Sequence, residues 1–182
     1  NMLALDESVR LMDFEMAKFG HVLIDAVDPR MNFSSCTGCL RVPIDVVEQW
    51  ENAHRQALAV NCPAASDDAQ YYPAMVDACA HWAIQKTGGF YGGYLKQRLA
   101  EGDDYETELR EEKGDHLIWL KTWTMTRLQS FVAYAEQHDC LPHIRESTQR
   151  LIIRLDEIMP EIHELGDLAL FPAFNPTSGS AT

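Results

Sequence analysis

Apolar and polar positions change rhythm twice along this chain. Met2-Leu3-Ala4-Leu5 and Val9-Arg10-Leu11-Met12 are short β-like runs on either side of the turn-type segment Asp6-Glu7-Ser8, a pattern that predicts an N-terminal β-hairpin over residues 1–13. Gly20 and the Asp28-Pro29 step then bracket Val22, Leu23, Ile24, Ala26 and Val27, enough for one brief helix, and Met31 to Val42 reads as loop. From Pro43 onward the period is helical. Ile44, Val47, Trp50 or Glu51, His54 and Leu58 recur at three- and four-residue steps until Cys62-Pro63.

A second helix is expected to begin at Ser66-Asp67-Asp68, whose oxygens suit a helix N-terminus, and to run through Met75, Cys79, Trp82 and Ile84 to Gly88-Gly89. Tyr94 to Ala100 reads as a short helix, and the charged stretch from Gly102 to Gly114 as a solvated helix or loop. The longest helix should carry Leu117, Leu120, Thr124, Leu128, Phe131 and Ala135 on one face and end before Cys140-Leu141-Pro142. The last places Ile144, Thr148, Leu151, Ile152, Leu155 and Ile158 together and stops at Pro160. The fold class predicted is mainly α: a single helical lobe over residues 1–170 that opens with the hairpin, followed by an extended or disordered tail over 171–182.

Composition narrows the function classes. At 182 residues the chain suits one domain. A formal net charge of −13 offers no cationic surface to displace counterions from a phosphate backbone, so nucleic acid is not an expected partner. No apolar run approaches the ~20 residues of a membrane span, and the opening residues lack a basic, signal-like segment, so a cytoplasmic protein is the simplest expectation. Five cysteines fit reduced thiols better than a disulfide framework. Cys36-Thr37-Gly38-Cys39 is the one pair with metal or redox spacing, and it stands without a second such pair.

The chemistry gathers at the start. Asn1 leads into an apolar strand, and the second strand delivers Asp13-Phe14-Glu15 at its end. Neighbouring strands lie ~5 Å apart, so oxygen-bearing residues at the open end of a hairpin can converge on one divalent ion. The stretch from Asn1 to Asp25 resembles the aminoglycoside phosphotransferase and choline kinase-like family. That family reads His-Gly-Asp, a few residues, Asn, an apolar strand, a turn, and a strand ending in Asp-(Phe/Trp)-(Glu/Gly). Asn1-Met2-Leu3-Ala4-Leu5 and Leu11-Met12-Asp13-Phe14-Glu15 match the pattern from its Asn onward. Gly20-His21 with Leu23-Ile24-Asp25 is similar to the family's Gly-(Asp/His) step and the helix beyond it, which carries a further Asp.

The resemblance implies a fold like the C-terminal lobe of a kinase-like phosphotransferase, with Asn1 and Asp13 as magnesium ligands and Asp25 as a supporting carboxylate. It implies Mg2+ and ATP as cofactors of the complete enzyme and a small, cationic hydroxyl compound as substrate. The family's catalytic Asp, glycine-rich loop and Lys stand ahead of this Asn, and none occurs within residues 1–182, so the chain is expected to be inactive alone and to need a nucleotide lobe.

Other signals are less specific. Trp82, Trp119, Trp123, Tyr91 and Tyr94 could line a cation–π pocket, but their helical period, shared with buried aliphatic residues, favours a core. His54, His81, His116, His138, His143 and His163 are scattered without a ligand pair at i, i+4. The acidic run from Asp103 to Glu112 suits amine binding or plain solvation. The alternative function class is a non-enzymatic helical ligand-binding or dimerising protein, including a homo-oligomer built on apolar helix faces.

Overall fold

A computed structural model describes residues 2–5, 8–11, 20–33, 40–87, 122–158, 169–171 and 174. Those residues are mainly helical. Two four-residue strands, β1 (Met2–Leu5) and β2 (Ser8–Leu11), pair antiparallel with Met2 opposite Leu11 and Leu5 opposite Ser8. The expected segments at 94–100 and 102–114, and the Cys36/Cys39 pair, lie outside the described residues.

Helix α1 (Leu23–Ala26) is a single turn that buries Leu23 and Ala26 and continues in turns to Asn32. Four residues cannot hold a helix by their own hydrogen bonds, so tertiary contacts must supply the stability. One is the Trp82 indole N–H, which donates to the Ile24 carbonyl at 3.0 Å.

Helix α2 (Ile44–Ala59) starts after Pro43, which presets a helical φ and needs no amide partner. Its buried line keeps Val47 and Glu51 of the predicted stripe and leaves out Ile44 and the alternative Trp50. Ile44 and Trp50 stay 59% and 38% exposed, whereas Val47 and the charged Glu51 are buried. The inward register follows Glu51 because Arg30 waits for it across the interface.

A 3-10 turn over Pro63–Ser66 leads into α3 (Asp68–Lys86), and Arg55 of α2 ties that corner by donating to the Ala65 carbonyl at 2.6 Å and to Asp68 at 2.5 Å. The Asp67 carboxylate caps α3, accepting from the Ala69 amide at 3.0 Å and from Gln70 at 2.7 Å. These bonds hold the Asp67 carboxyl below the usual carboxylate range, the Gln70 bond being the larger cause. A depressed folded pKa stabilises above the ordinary carboxylate range and is lost as pH falls through the lowered value. Asp67→Ala is therefore expected to lower the melting temperature at neutral pH and to leave it unchanged in strong acid, with Asp67→Asn restoring most of the neutral-pH loss; thermal melts across pH check it.

Helix α3 is the centre of the molecule. Tyr71, Met75, Val76, Ala78, Cys79, Ala80 and Ala83 are buried over a broad face, and Gln70, Pro73, Asp77, His81 and Ile84 form the exposed one. Helix α4, described over residues 122–137, buries Thr124, Leu128, Phe131 and Ala135 as the period predicts, and adds Trp123, Arg127 and Tyr134. Each fully buried Phe or Met of this core contributes roughly 1.5–3 kcal/mol. The α4 helix ends in a turn where Asp139 (φ 49°) and Leu141 (φ 48°) are left-handed, and Pro142 then opens α5 (Pro142–Ile158). Leu155 and Thr148 of α5 face the core. Near the end of the chain, the Phe171 amide donates to the Arg41 carbonyl at 3.1 Å, the Arg41 amide donates to the Ala169 carbonyl at 2.8 Å, and the Phe171 ring meets Phe33 edge-on at 5.5 Å.

Candidate functional site

Asn1 and Asp13, the expected magnesium ligands, lie outside the described residues. Asp25 is described, and is exposed on α1. Its charge acts on His54 of α2, whose pKa is nonetheless lowered because burial outweighs that attraction. Among the described residues no group of three or more His, Cys, Asp or Glu side chains is placed to hold a metal. Cys62, Cys79 and Cys140 are free thiols, and burial pushes the Cys79 thiol well above its ordinary value, leaving it protonated and unreactive.

The described residues instead build a cavity of about 160 Å3 where α2, α3, α4 and the turn after α1 meet. Arg30 enters from that turn and binds Glu51 of α2 with both ends of its fork, Nε to Oε1 at 2.6 Å and Nη2 to Oε2 at 2.7 Å. Both side chains are about one-tenth exposed, 11% and 10%. Burial works against the Arg30 charge, but the hydrogen bond and attraction of Glu51 outweigh it and the net pKa is raised. The guanidinium also lies 4.0 Å above the ring of Tyr134.

Aromatic rings form the rest of the wall. Tyr72 stacks on His138 at 4.2 Å with planes 13° apart, and Tyr134 meets the same imidazole edge-on at 4.6 Å. Tyr71 meets Tyr72 edge-on at 5.5 Å, and Arg55 covers Tyr71 and Tyr72 at 4.5 and 5.2 Å. Burial, with the nearby Glu51 charge, pushes the Tyr71 phenol up to about 12 and raises Tyr134 as well, so both remain neutral hydroxyls. Burial and then Arg30 lower the His138 pKa, so its imidazole is neutral at pH 7. The cavity therefore holds the Arg30–Glu51 ion pair, the Glu48 carboxylate, phenols and a neutral imidazole.

Of the aromatic residues the sequence analysis weighed, those described pack in the core, as their period favours, and none of them lines this cavity. Trp82 is spent on the Ile24 carbonyl, and Trp123 is 2% exposed beneath the Arg127 guanidinium, both in packing roles. Trp119, Tyr91 and Tyr94 lie outside the described residues. The residues that do converge were legible only in part: Tyr134 and His138 stand four apart on one helical face, and Tyr71-Tyr72 come one turn after the Asp67 cap. Searched against models of protein families, curated proteins and solved structures, the chain matches none.

Proposed function

We propose that this chain is the helical, substrate-side lobe of an ATP-dependent small-molecule phosphotransferase, with Asn1 and Asp13 as the oxygen ligands of its magnesium. The observation that carries the reading is the motif, Asn1-Met2-Leu3-Ala4-Leu5 and Leu11-Met12-Asp13-Phe14-Glu15, together with the antiparallel pairing of β1 with β2 that sets Met2 opposite Leu11. An amide oxygen and a carboxylate are the hard donors Mg2+ prefers, so the donor set fits the ion. Magnesium, when bound, neutralises charge that develops on the transferring phosphoryl group. On this reading the chain's own part is to supply the two oxygens, with Asp25 supporting the segment beyond the hairpin. The mainly helical body is consistent with such a lobe. On this reading the catalytic Asp belongs to the catalytic loop a few residues ahead of Asn1, and the glycine-rich loop and Lys to the nucleotide lobe that works with this one.

The test is ATP turnover by the gene product that contains these residues, with amine-bearing hydroxyl compounds as acceptors. Asp13→Ala is expected to lower kcat/KM on the order of 100-fold and to abolish tight Mn2+ binding seen by electron paramagnetic resonance. Unchanged turnover and unchanged Mn2+ affinity in the variant would remove the assignment.

A further inference from the structure

The ring of His138 is clamped at a strained bend. Tyr72 of α3 lies flat against it at 4.2 Å, Tyr134 of α4 meets it edge-on at 4.6 Å, and its Nε2 is buried with no hydrogen-bond partner among the described residues. Just beyond it the chain turns from α4 into α5 through Asp139 (φ 49°) and Leu141 (φ 48°), both left-handed. We propose that His138 is an acid-sensitive latch: a proton added to its ring unseats it from Tyr72 and lets the corner between α4 and α5 swing away from α3. The latch works whether or not Asn1 and Asp13 hold a metal.

Backbone conformation shows that the corner does not close by itself. Aspartate visits the left-handed region readily, but leucine does not, and a residue before proline ordinarily takes extended backbone. Leu141 stands before Pro142, so contacts from elsewhere must hold it. Cys140 and Leu141 are partly buried against the core, the Cys140 amide donates to the Ala135 carbonyl at 2.9 Å, and the Cys140 thiol donates to the His138 carbonyl at 3.3 Å. The stack of His138 on Tyr72 is the ring contact that ties this corner to α3.

An added proton works against that tie. A neutral imidazole can keep its hydrogen on Nδ1 and leave Nε2 a bare acceptor, whereas an imidazolium must carry an N–H on both nitrogens. At the buried Nε2 that N–H would meet no acceptor among the described residues, and a buried charged donor without a partner is costly. Arg30, from the turn after α1, repels the charge, while Glu51 of α2 and Asp68 of α3 attract it. Both carboxylates are already engaged, Glu51 in the Arg30 fork and Asp68 with Arg55. Glu48 lines the same cavity, and Glu136 and Asp139 flank the ring in sequence, but all three are exposed and none is among the charges that act on it.

Burial is the largest influence and Arg30 the next, and together they hold the His138 pKa below its ordinary value. A lowered value in the folded chain means that the ring's contribution to folding is complete above the ordinary imidazole value of about 6.5 and is lost as pH falls below it, toward the lowered one. Gln137 and His138 also line the cavity, so the same motion opens it on the α4 side.

The experiment follows each histidine of the intact chain by NMR as pH is lowered from about 7.5 to about 5.5, and measures amide exchange over the same range, corrected for the intrinsic dependence of exchange on pH. The His138 ring is expected to titrate below about 6.5. The Cys140 and Arg145 amides, bonded to the Ala135 and Leu141 carbonyls, should lose protection several-fold through the His138 midpoint, while the α3 amides change less. His138→Phe keeps a ring on Tyr72 and takes no proton, so its corner should stay protected at the lower pH. If that variant does not fold, the wild-type chain alone decides, because the loss of corner protection must track the His138 resonance and no other histidine. A His138 midpoint at or above about 6.5 means that the tyrosine rings and the C-terminal end of α4 hold the imidazolium in place, and overturns the latch. Corner protection that does not change with pH, or that falls equally in wild type and His138→Phe, overturns it too.

Discussion

Glu51→Ala is expected to lower the free energy of unfolding by about 3–5 kcal/mol, read as a shift of the urea midpoint at unchanged slope. The reason is the charge that the substitution leaves behind. Arg30 is about nine-tenths buried and stays charged at any accessible pH, so without Glu51 a cation remains in the interior with no carboxylate in its fork. Attraction to the Tyr134 ring, at 4.0 Å, offsets only part of that cost. A domain of this size is commonly stable by about 5–15 kcal/mol, so the variant sits near the edge of folding. Removing both charges with Arg30→Met and Glu51→Leu should recover most of the loss, because the desolvation of both groups disappears with them. The control is Glu146–Arg150 on α5, an i, i+4 pair at 2.9 Å with both side chains more than three-fifths exposed; breaking it should cost about 0.5 kcal/mol or less. Equal effects at the two pairs would mean that the Arg30–Glu51 bridge is as solvated as a surface one.

That contrast also explains what the sequence could and could not say. The helices were legible because apolar residues repeat at the helical period: Thr124, Leu128, Phe131 and Ala135 are buried as their spacing predicts. Asp67 marks the start of α3 by its residue type alone. The buried charges were not legible. A pattern argument sends Arg30 and Arg127 outward and leaves Glu51 only as an alternative to Trp50, and what keeps each of them inside is a partner 21 or about 95 residues away that no local window contains. Ile44 shows the converse, an apolar residue on the predicted stripe that the Glu51 register leaves outside. The cavity was hidden for the same reason, since it is assembled from four segments that are far apart in sequence. The metal ligands are the opposite case: Asn1 and Asp13 are proposed from motif and register, and the cavity from geometry alone.

Arg127→Met is expected to destabilise the protein by about 4 kcal/mol, with the damage concentrated far from α4 in sequence. Arg127 is 2% exposed, and its guanidinium donates to three consecutive carbonyls: Nε to Met31 at 2.8 Å, and Nη2 to Asn32 at 3.2 Å and Phe33 at 3.0 Å. Those carbonyls belong to a turn in which Asn32 (φ 52°) and Phe33 (φ 51°) are both left-handed, a conformation that costs a non-glycine residue roughly 1–2 kcal/mol. The turn holds its shape because the guanidinium fork gathers all three oxygens while its face rests on Trp123, 3.1 Å from the ring centre. Methionine fills similar volume and supplies no donor, so several buried carbonyls lose a charge-assisted bond at once. Lysine should not rescue: a point charge on a flexible stem cannot fork to three acceptors. Because Phe33 packs on Phe171, and Phe171 bonds to Arg41, release of the turn should loosen that strap as well. Hydrogen exchange gives the decisive readout, with faster exchange at the Met31, Phe33 and Phe171 amides in Arg127→Met while the α3 amides change only with global stability. Placing glycine at position 32 in that background removes one strained residue and should return about 1 kcal/mol. A variant within about 1 kcal/mol of wild type, with those three amides unchanged, would show that the turn keeps its left-handed pair without the arginine.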